Sequence, residues 1–401
     1  MKRIKRLIPL ILFVALLMPS LSLARERSLQ APYPPSPVIK NLTWAPASTI
    51  SRAAKGADTW PLTWADDDSL YTAFGDGQGF SKVVGETKLS LGFSRVDGPA
   101  TGFTGTDISS NGQQLGDGAK GKKASGMLMV NSTLYMWVRN ANNNGQQCQL
   151  AWSNDHAKTW SWSNWKFEEF GYCTFINYGK NYSGAPDNYV YTVTPDSPSA
   201  YNAANQFILM RVPKDKITNE SAYEYFVNLD SQGNPVWTNN ISARGPVFKN
   251  PGGARRSGIT YNAALKRYLW WQGIPHSGDE KTSGGFGIYD APNPWGPWTT
   301  VYYTEQWDVG PGETASFPTK WMSPDGKTLY LVFSGDDYFS VRMATLEIGN
   351  EPPAEPTTAP TKVSTVVPTA KPTFVPTTGP AGQPTVQPTA TPRERDGRTR
   401  P

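Results

Sequence analysis

A strand–turn–strand phrase recurs five times along this chain, at intervals of about sixty residues. Each copy has an apolar run, a polar turn, and a pair of an apolar residue and Tyr that opens a second run. These pairs lie 64, 56, 78 and 61 residues apart, and a third strand-like run follows in every unit. Repeats of this length hold enough β-hairpin for a four-stranded sheet, which is typical of propeller blades. The five phrases are LTWADDDSLYTAF from Leu62, GMLMVNSTLYMWV from Gly126, TFINYGKNYSGAPDNYVYTV from Thr174, GITYNAALKRYLWW from Gly258 and TKWMSPDGKTLYLVF from Thr319.

The segments between the phrases support the same fold class. From residue 44 to residue 346, short runs rich in Tyr, Trp, Phe and Val are separated by Gly, Asn, Asp and Pro, as expected for strands and turns. Long stretches of helical periodicity are missing, and KDKITNESAYEYF from Lys214 is the best candidate for a short helix. We therefore predict an all-β fold, a five-bladed β-propeller.

Residues 153–160, SNDHAKTW, are similar to the Asp-box pattern Ser-x-Asp-x-Gly-x-Thr-Trp of many propeller hairpins, with Ala157 in place of Gly. We expect Asp155 and Thr159 to hydrogen-bond the turn, and Trp160 to pack between sheets. The role predicted for this Asp-box-like hairpin is structural rather than catalytic.

The two ends of the chain differ from its middle. Residues 1–24 have the features of a signal peptide, because four cations precede an apolar run and small residues follow it. The run is too short for a confident membrane span, so we expect a secreted protein without a span after signal removal; a retained signal anchor is the alternative. A linker over residues 25–40 would lead into a propeller over residues 41–349. Residues 350–401 are rich in Pro and Thr and predict a disordered tail.

The middle of the chain is close to neutral. The whole sequence has a formal charge of +5, but the leader contributes four cations and the tail a net +2, which leaves −1 for the rest. A near-neutral domain gives no electrostatic case for nucleic acid. We therefore expect no nucleic-acid partner.

Cysteine and histidine are too scarce for a metal cluster. Cys148 and Cys173 are the only cysteines, and they allow either one disulfide or two buried thiols. His156 and His276 are the only histidines, which excludes a zinc-ligand cluster. We expect no cofactor and no metal.

The register of the first hairpin places two carboxylates together. If residues 66–69 form the turn, antiparallel pairing puts Asp76 opposite Thr59, next to Asp58. Opposed residues on adjacent strands have Cβ atoms about 5 Å apart. The acidic run of residues 66–68 falls at the other end of the hairpin, where a solvated turn is the expected role.

The same antiparallel pairing on the other blades brings further polar residues to the end that holds Asp58 and Asp76. A funnel rimmed by carboxylates, arginines and aromatic rings suits a polar, uncharged ligand, which indicates a polysaccharide or cell-wall glycan. A propeller that closes on itself has little need for protein partners, so we expect a monomer. The rim residues predicted around the two aspartates are Trp60, Lys123, Arg139, Asn140, Tyr172, Asp196, Arg255, Arg256, Gln272, His276, Glu313, Asp336 and Asp337.

Paired carboxylates are what glycoside hydrolysis requires. One carboxyl protonates the leaving oxygen and another acts as nucleophile or base, with separations of about 5 Å in retaining enzymes. Two like charges this close also raise one pKa, as a general acid needs at neutral pH. Asp58 and Asp76 both carry the carboxyl group that this chemistry requires. Glu313 and Asp337 are the reserve pair if the acid comes from across the funnel.

Three segments carry a resemblance to a known family. They are DTWPLTWADDDSLYTAFGDG from Asp58, GGARRSGITYNAALKRYLWW from Gly252, and DVGPGETASFPTKW from Asp308 with the later LVFSGDDYFSVR. Together they resemble a secreted bacterial propeller family, domain of unknown function 4185, over roughly residues 41 to 348. That broader group includes the endo-D-arabinanases of glycoside hydrolase family 183, which cleave the D-arabinan of mycobacterial-type cell walls.

The resemblance implies an endo-acting, retaining arabinofuranosidase, with a catalytic pair spaced like Asp58 and Asp76. The sequence does not settle which aspartate is the nucleophile; the assignment that we favour makes Asp58 the nucleophile and Asp76 the acid/base.

Two other functions remain open at this stage. A non-catalytic carbohydrate-binding propeller would use the same aromatic-rich phrases for sugar stacking, and it would tolerate loss of one aspartate. A sialidase-like hydrolase is suggested by the Asp box, but it needs an arginine cluster and a Tyr/Glu pair that are not evident here.

Overall fold

The computed structural model describes residues 30–81, 87–275 and 278–349, all within one compact unit. These ranges contain strands and three-residue 3-10 helices but no α-helix, and none of their helices is long and apolar enough to cross a membrane. The predicted signal peptide and the predicted tail lie outside the described residues. The 3-10 helices are Ala47–Thr49, Gly118–Lys120, Lys180–Tyr182, Glu220–Ala222, Ile241–Ala243, Thr319–Trp321 and Gly335–Asp337.

Five antiparallel sheets follow one another along the chain, each built outward from a short inner strand. The first described strands, β1 (Ile39–Trp44) and β2 (Ser51–Ala53), belong to the last sheet. Blade one comprises β3 (Leu62–Trp64), β4 (Leu70–Phe74), β5 (Gly92–Asp97) and β6 (Thr104–Asp107), and blade two comprises β7 (Lys123–Val130), β8 (Thr133–Arg139), β9 (Gln149–Ser153) and β10 (Ser161–Trp162). Blade three comprises β11 (Thr174–Asn177), β12 (Tyr189–Pro195), β13 (Ala204–Pro213) and β14 (Glu224–Leu229), extended by β15 (Pro235–Thr238) and β16 (Pro246–Ala254). Blade four comprises β17 (Ser257–Asn262), β18 (Arg267–Gly273), β19 (Phe286–Ala291) and β20 (Thr299–Thr304), and blade five contains β21 (Ala315–Ser316), β22 (Thr328–Phe333) and β23 (Phe339–Ile348).

The N-terminal strand completes the last blade. β1 pairs antiparallel with β23, with Leu42 opposite Leu346 and Trp44 opposite Ala344, so blade five has the order β21-β22-β23-β1. β2 pairs with the start of β23 on the same side. Because β1 comes from the beginning of the fold and β23 from its end, this pairing closes the ring.

The inner strands of neighbouring blades contact one another around the centre. Between blades one and two, the Met129 amide donates to the Thr63 hydroxyl at 3.0 Å. β11 and β17 pair in parallel at Ile176 and Ile259. At the seam between blades five and one, the Trp60 amide donates to the Thr314 hydroxyl at 3.2 Å. The closed order of five four-stranded units confirms the predicted five-bladed β-propeller.

The core lies in apolar wedges between the blades. Strands β4, β7 and β19 are buried at every residue, because each is covered by a neighbouring blade on both faces. This explains why the inner halves of the phrases are continuous apolar runs rather than alternating ones. Trp137 and Trp270 are among the largest fully buried side chains, and each packs in a cluster of aromatic rings.

Two predictions of local secondary structure were wrong. The segment from Lys214 forms a single 3-10 turn over Glu220–Ala222 followed by β14, because its buried residues Tyr223 and Tyr225 alternate with period two rather than with helical spacing. In the fifth phrase, the first arm is the 3-10 helix Thr319–Trp321, and the inner strand is the shorter β21 upstream of it.

The register of blade one also differs from the prediction. Trp64 faces Leu70, and Asp58 forms a bridge with Gly75, so Asp76 does not lie opposite Thr59. The pairing is already one residue off beside the turn, where Trp64 rather than Ala65 faces Leu70. It shifts by one more residue beyond Thr59, whose backbone is left-handed with φ of 52°. A pairing rule that assumes regular strands cannot anticipate such an irregularity.

Residues that the sequence assigned to a linker contact the propeller. The Ser36 amide donates to the Thr300 carbonyl and the Thr300 amide to the Pro34 carbonyl, at the outer strand of blade four. The Ser36 hydroxyl also donates to the buried Asp290 carboxylate at 3.1 Å. The chain before β1 is therefore anchored from about residue 34 onward.

The Asp-box-like hairpin has the predicted structure. Asp155 accepts hydrogen bonds from the Thr159 amide at 2.8 Å and the Thr159 hydroxyl at 2.6 Å, within the turn that joins β9 to β10. Ala157 has φ of 69°, which explains why the pattern usually has Gly there. Trp160 stacks on Phe93 of blade one, with ring centroids 4.9 Å apart. The hairpin therefore fixes blade two against blade one.

The two cysteines are buried free thiols. The Cys173 amide donates to the Cys148 sulfur at 3.1 Å, inside the wedge between blades two and three. Of the two alternatives that the sequence left open, the structure has the pair of buried thiols.

We predict that Asp155→Ala destabilises the propeller by about 1 kcal/mol, because it removes side-chain hydrogen bonds from a partly exposed turn. Urea unfolding would measure this, with Ser161→Ala on the exposed start of β10 as the control. An unfolding midpoint equal to that of the control would contradict a structural role for the hairpin.

Candidate active site

All five inner strands begin at the same end of the ring, which we call the mouth. Residues just before an inner strand and just after the second strand of a blade therefore lie there. The loop between the second and third strands of each blade also lies at this end. Side chains from four blades meet at the mouth: Asp58, Asp76, Lys123, Arg139, Arg256 and Glu313.

Asp58 and Asp76 are held on adjacent strands of blade one. The amide of Asp58 donates to the Gly75 carbonyl at 2.8 Å, and the Gly75 amide returns a bond to the Asp58 carbonyl at 2.7 Å. Because Asp76 follows Gly75, Asp58 and Asp76 are diagonal neighbours on adjacent strands. Side chains in this relation are close enough to interact. A Cβ on Gly75 would lie 2.8 Å from Asp58 Oδ1 and 2.6 Å from the Thr59 hydroxyl, so only glycine fits.

The backbone around this pair is strained. Thr59 and Asp76 have φ of 52° and 47°, and across the mouth Asn140 has 58° and Asp337 has 54°. Left-handed backbone is costly for residues other than glycine, most of all for a β-branched one such as Thr59. Such strain clusters at functional sites, where the surrounding structure holds it in place.

Asp58 is a buried carboxyl that is only 4% exposed, and its Oδ1 has no hydrogen-bond partner among the described residues. Burial, followed by the negative charge of Glu313, raises the pKa of Asp58 to about 7; Arg139 and Lys123 oppose this rise. At neutral pH this group can therefore hold and release a proton.

Asp76 has a different environment from Asp58. Its Oδ1 pairs with the ammonium of Lys123 at 2.5 Å, and Lys123 itself is buried at the start of β7. The Asp76 side chain is 19% exposed, so solvent and ligands can reach it. A buried ammonium needs a negative partner, and the Asp76 carboxylate is the partner of Lys123.

Glu313 is the third carboxylate of the mouth, immediately before β21. Its Oε2 accepts from Arg139 at 3.0 Å and also forms an ion pair with Arg256. Burial alone would raise the pKa of Glu313, but the charges of Arg256 and Arg139 outweigh it and hold that pKa well below its usual range. Its amide donates to the Ser334 hydroxyl at 2.8 Å, which fixes the backbone.

Arg139 is completely buried at the end of β8, between two tyrosines. Its guanidinium carbon lies 5.8 Å from the ring centre of Tyr172 and 5.6 Å from that of Tyr201. Its Nε and Nη1 atoms have no partner among the described residues. Burial raises the pKa of Tyr172 to about 12, so this phenol stays neutral. Buried donors without partners are rare, and here they leave hydrogen-bonding capacity for a ligand or ordered water.

Two ion pairs lie at the rim: one is within blade four, and the other joins blade four to blade five. Arg255 pairs with Glu280, and Lys281 pairs with Asp337 at 2.7 Å. Burial, followed by the charge of Arg256, lowers the pKa of Arg255 to about 10. Asp337 Oδ1 is buried without a partner among the described residues.

Most predicted rim residues lie at the mouth, but three do not contribute as expected. Trp60 is 2% exposed and packs against Phe74 and Phe339, so its ring has no free face for a sugar. Asp196 pairs with Arg244 of its own blade at 2.8 Å. Asp336 is exposed beside the ion pairs, and its carboxylate has no hydrogen-bond partner among the described residues. His276 lies outside the described residues.

Sequence reasoning missed Tyr201, Glu280 and Lys281. Tyr201 receives a hydrogen bond from the Asn140 amide group at 2.9 Å and covers Arg139 and Arg256. All three residues lie in loops between the second and third strands of a blade. The rim residues predicted in these loops follow the second strand closely, whereas Tyr201, Glu280 and Lys281 lie at least six residues beyond it, where hairpin pairing no longer applies.

No family model matches this chain, and no curated protein matches it. Among solved structures it is similar to a putative hydrolase from Bacteroides ovatus, with 12% identity over 76% of this chain and 93% of that chain and a TM-score of 0.45. The GH43_1 enzyme from Xanthomonas citri has 13% identity over 78% of this chain and 98% of that chain, with a TM-score of 0.42. The β-xylosidase RS223 has 14% identity over 73% of this chain and 92% of that chain, with a TM-score of 0.41. At such identities and TM-scores the likeness carries no argument about a reaction, and the propeller assignment rests on the strand pairing of this chain.

We predict opposite stability effects for the two aspartates. In the folded state the pKa of Asp58 is raised from 3.8 to about 7, so ionising this group costs stability as the pH rises through that window. Asp58→Asn removes the cost: the variant should match wild type below about pH 4 and exceed it by about 2–4 kcal/mol above pH 7. Asp76→Asn should instead destabilise by about 1–3 kcal/mol at neutral pH, because it leaves the Lys123 charge unpaired. Urea unfolding across pH 4–8 measures both, and a gain for Asp58→Asn that does not change with pH would contradict the raised pKa.

Gly75→Ala should displace the pair. The added methyl meets Asp58 Oδ1 and the Thr59 hydroxyl well inside contact distance, so we expect both a loss of stability of about 1–3 kcal/mol and a loss of function at the mouth. Gly102→Ala is the matched control, because the added methyl group has room there. Gly184→Ala is unsuitable because Gly184 has a left-handed backbone. Unfolding and activity equal to those of Gly102→Ala would contradict the close approach at Gly75.

Proposed function

We propose that this protein is a glycoside hydrolase that cleaves a polysaccharide, with Asp58 and Asp76 as its catalytic pair. The observation that carries the proposal is the contrast between two neighbouring carboxyls. Asp58 is buried with a pKa of about 7, and Asp76 is more exposed and paired with Lys123. A glycosidase needs two neighbouring carboxyls with different roles, one that holds a proton for the leaving oxygen and one that acts as nucleophile or base.

The environments favour a division of roles opposite to the one favoured on sequence alone. Asp58, with its raised pKa, suits the general acid/base that protonates the leaving oxygen. Asp76, paired with Lys123 and more accessible, suits the nucleophile that attacks the anomeric carbon in a retaining mechanism. Glu313 stays ionised between Arg139 and Arg256, so it suits neither proton donation nor the reserve role given to it; its charge helps to keep Asp58 protonated.

The unpartnered donors of Arg139 and the neutral phenol of Tyr172 would hydrogen-bond sugar hydroxyls beside the pair. The segment that contains Asp58 and Asp76 carries the most specific resemblance to the family that includes the endo-D-arabinanases. D-arabinan-type furanosides are therefore the substrates that we propose, cleaved internally with retention. The leader sequence supports export, with the glycan met outside the cell.

The first test is product release from a panel of polysaccharides that includes arabinogalactan. Wild type should release oligosaccharides, while Asp58→Asn and Asp76→Asn should each lose about 10³-fold in rate. Asp230→Asn, an exposed turn carboxylate of blade three, is the matched control and should keep full activity. Activity that survives in both mouth variants would refute the pair. Binding without any release would favour the non-catalytic carbohydrate-binding propeller.

The pH profile tests the roles. Because the acid must be protonated, kcat/KM should fall as the pH rises above about 7. Glu313→Gln removes a negative charge that raises the pKa of Asp58 and frees the Arg139 guanidinium, which lowers it, so the alkaline limb should move to lower pH. An alkaline limb that stays in place in this variant would contradict Asp58 as the acid. The anomer formed first, observed by proton NMR, decides between retention and inversion.

A further inference from the structure

A second cavity lies at the end of the ring opposite to the mouth. It has a volume of about 720 Å³ and runs between the outer turns of blade one and the start of β22 in blade five. We call it the seam groove. Its lining comes from the turn before β4, from the turn after β5, and from the segment between β21 and β22. None of these residues takes part in the catalytic proposal.

Cross-blade contacts hold the walls of the seam groove in place. The Trp321 indole donates to the Gly98 carbonyl at 3.1 Å, from blade five to blade one. Lys320 bonds the backbone carbonyl of Asp68, and Trp64 fixes the carboxylate of Asp68 at 3.0 Å. The groove is therefore preformed, so that a ligand would not have to order it.

Groups with free hydrogen-bonding capacity face this cavity. Asp97 Oδ1 accepts from the Ser69 hydroxyl at 2.7 Å and from Arg95 at 2.9 Å, whereas its Oδ2 accepts from no described residue. The hydroxyls of Tyr330 and Thr101 likewise have no protein partner within the described ranges. A carboxylate oriented by a guanidinium beside free hydroxyls presents both acceptors and donors at fixed positions.

Tyr330 gives the groove an aromatic surface. In β22, Leu329 and Leu331 point into the wedge with blade four, so Tyr330 points toward blade one, where it is half-buried. Within the described residues its ring stacks on no other aromatic ring. A tyrosine with one side on the core and the other in a polar groove is the kind of platform on which a sugar ring stacks.

The charges of the seam groove argue against a charged ligand. Three carboxylates and two cations line it, and each cation is already paired with one of the carboxylates. A polyanion would meet uncompensated carboxylates, and a cation would compete with Arg95 and Lys320. A neutral, hydroxyl-rich ligand fits both the aromatic face and the free acceptors.

We propose that the seam groove is a second saccharide-binding site, separate from the mouth, that holds a distant part of the polysaccharide chain. The identity of the glycan rests on the function proposed above, but the existence of the site does not. Two sites on opposite ends of one propeller would raise the affinity for long or insoluble polysaccharide and leave short oligosaccharides unaffected.

Retention on a gel that contains arabinogalactan tests the proposal, in full-length protein carrying Asp58→Asn so that the gel is not digested. Adding Tyr330→Ala should raise the dissociation constant about fivefold, which is the effect of losing one stacked ring. Thr101→Trp, at an exposed position on the lip of the groove, should block the site without disturbing the core. Tyr303→Ala on the outer strand of blade four is the matched control and should bind as its parent does.

The active protein provides the second readout. With the mouth intact, Tyr330→Ala and Thr101→Trp should slow release from insoluble polysaccharide and leave kcat/KM on a short soluble oligosaccharide within about twofold. Retention equal to that of the Tyr303→Ala control in both groove variants overturns this proposal even if the enzyme is active. If the groove variants weaken retention but the protein hydrolyses no glycan, the seam groove is a saccharide-binding site and the proposed hydrolase activity is refuted.

Discussion

Closure of the ring is the constraint on which the candidate site depends. Asp58 comes from the first blade and Glu313 from the last, and they influence each other because β1 pairs with β23 and fixes blade five beside blade one. The same seam is tied by the bond from Trp60 to Thr314 at its centre and by the contact of Trp321 with Gly98 at its outer edge. Without this closure the carboxylates of the mouth would have no common environment.

Once the ring is closed, the charges buried at its centre must compensate one another. Arg139 is removed from water entirely, so it requires Glu313, and Lys123 requires Asp76. Asp58 is the carboxyl left without a partner, and burial together with the neighbouring negative charge makes its proton hard to remove. The proposed chemistry follows from this imbalance, because a glycosidase needs one carboxyl that keeps its proton at neutral pH and one that does not.

The strained backbone at the mouth is held in place by rigid packing elsewhere in the propeller. Left-handed residues occur in hairpin turns and also at the mouth, where Thr59 and Asp76 aim side chains that regular strands would not bring together. The wedges between blades and the Asp-box-like hairpin supply the rigid frame that holds this conformation. At the other end of the ring, the seam groove is a cavity formed only where blades one and five meet.

The sequence by itself determined the number of blades and the identity of the central carboxylates. Both follow from local information: the spacing of apolar–Tyr pairs counts hairpins, and antiparallel pairing tells which end of a hairpin a residue occupies. Sequence could not give the register at Asp58 and Gly75, because the pairing shifts by one residue at the turn before β4 and by one more at the left-handed backbone of Thr59, and no residue type signals either shift. It placed Trp60 at the rim, whereas the seam buries that ring. The protonation state of Asp58 was also decided by tertiary structure alone, since its pKa is raised by burial and by the charge of Glu313, which only the closed ring brings near.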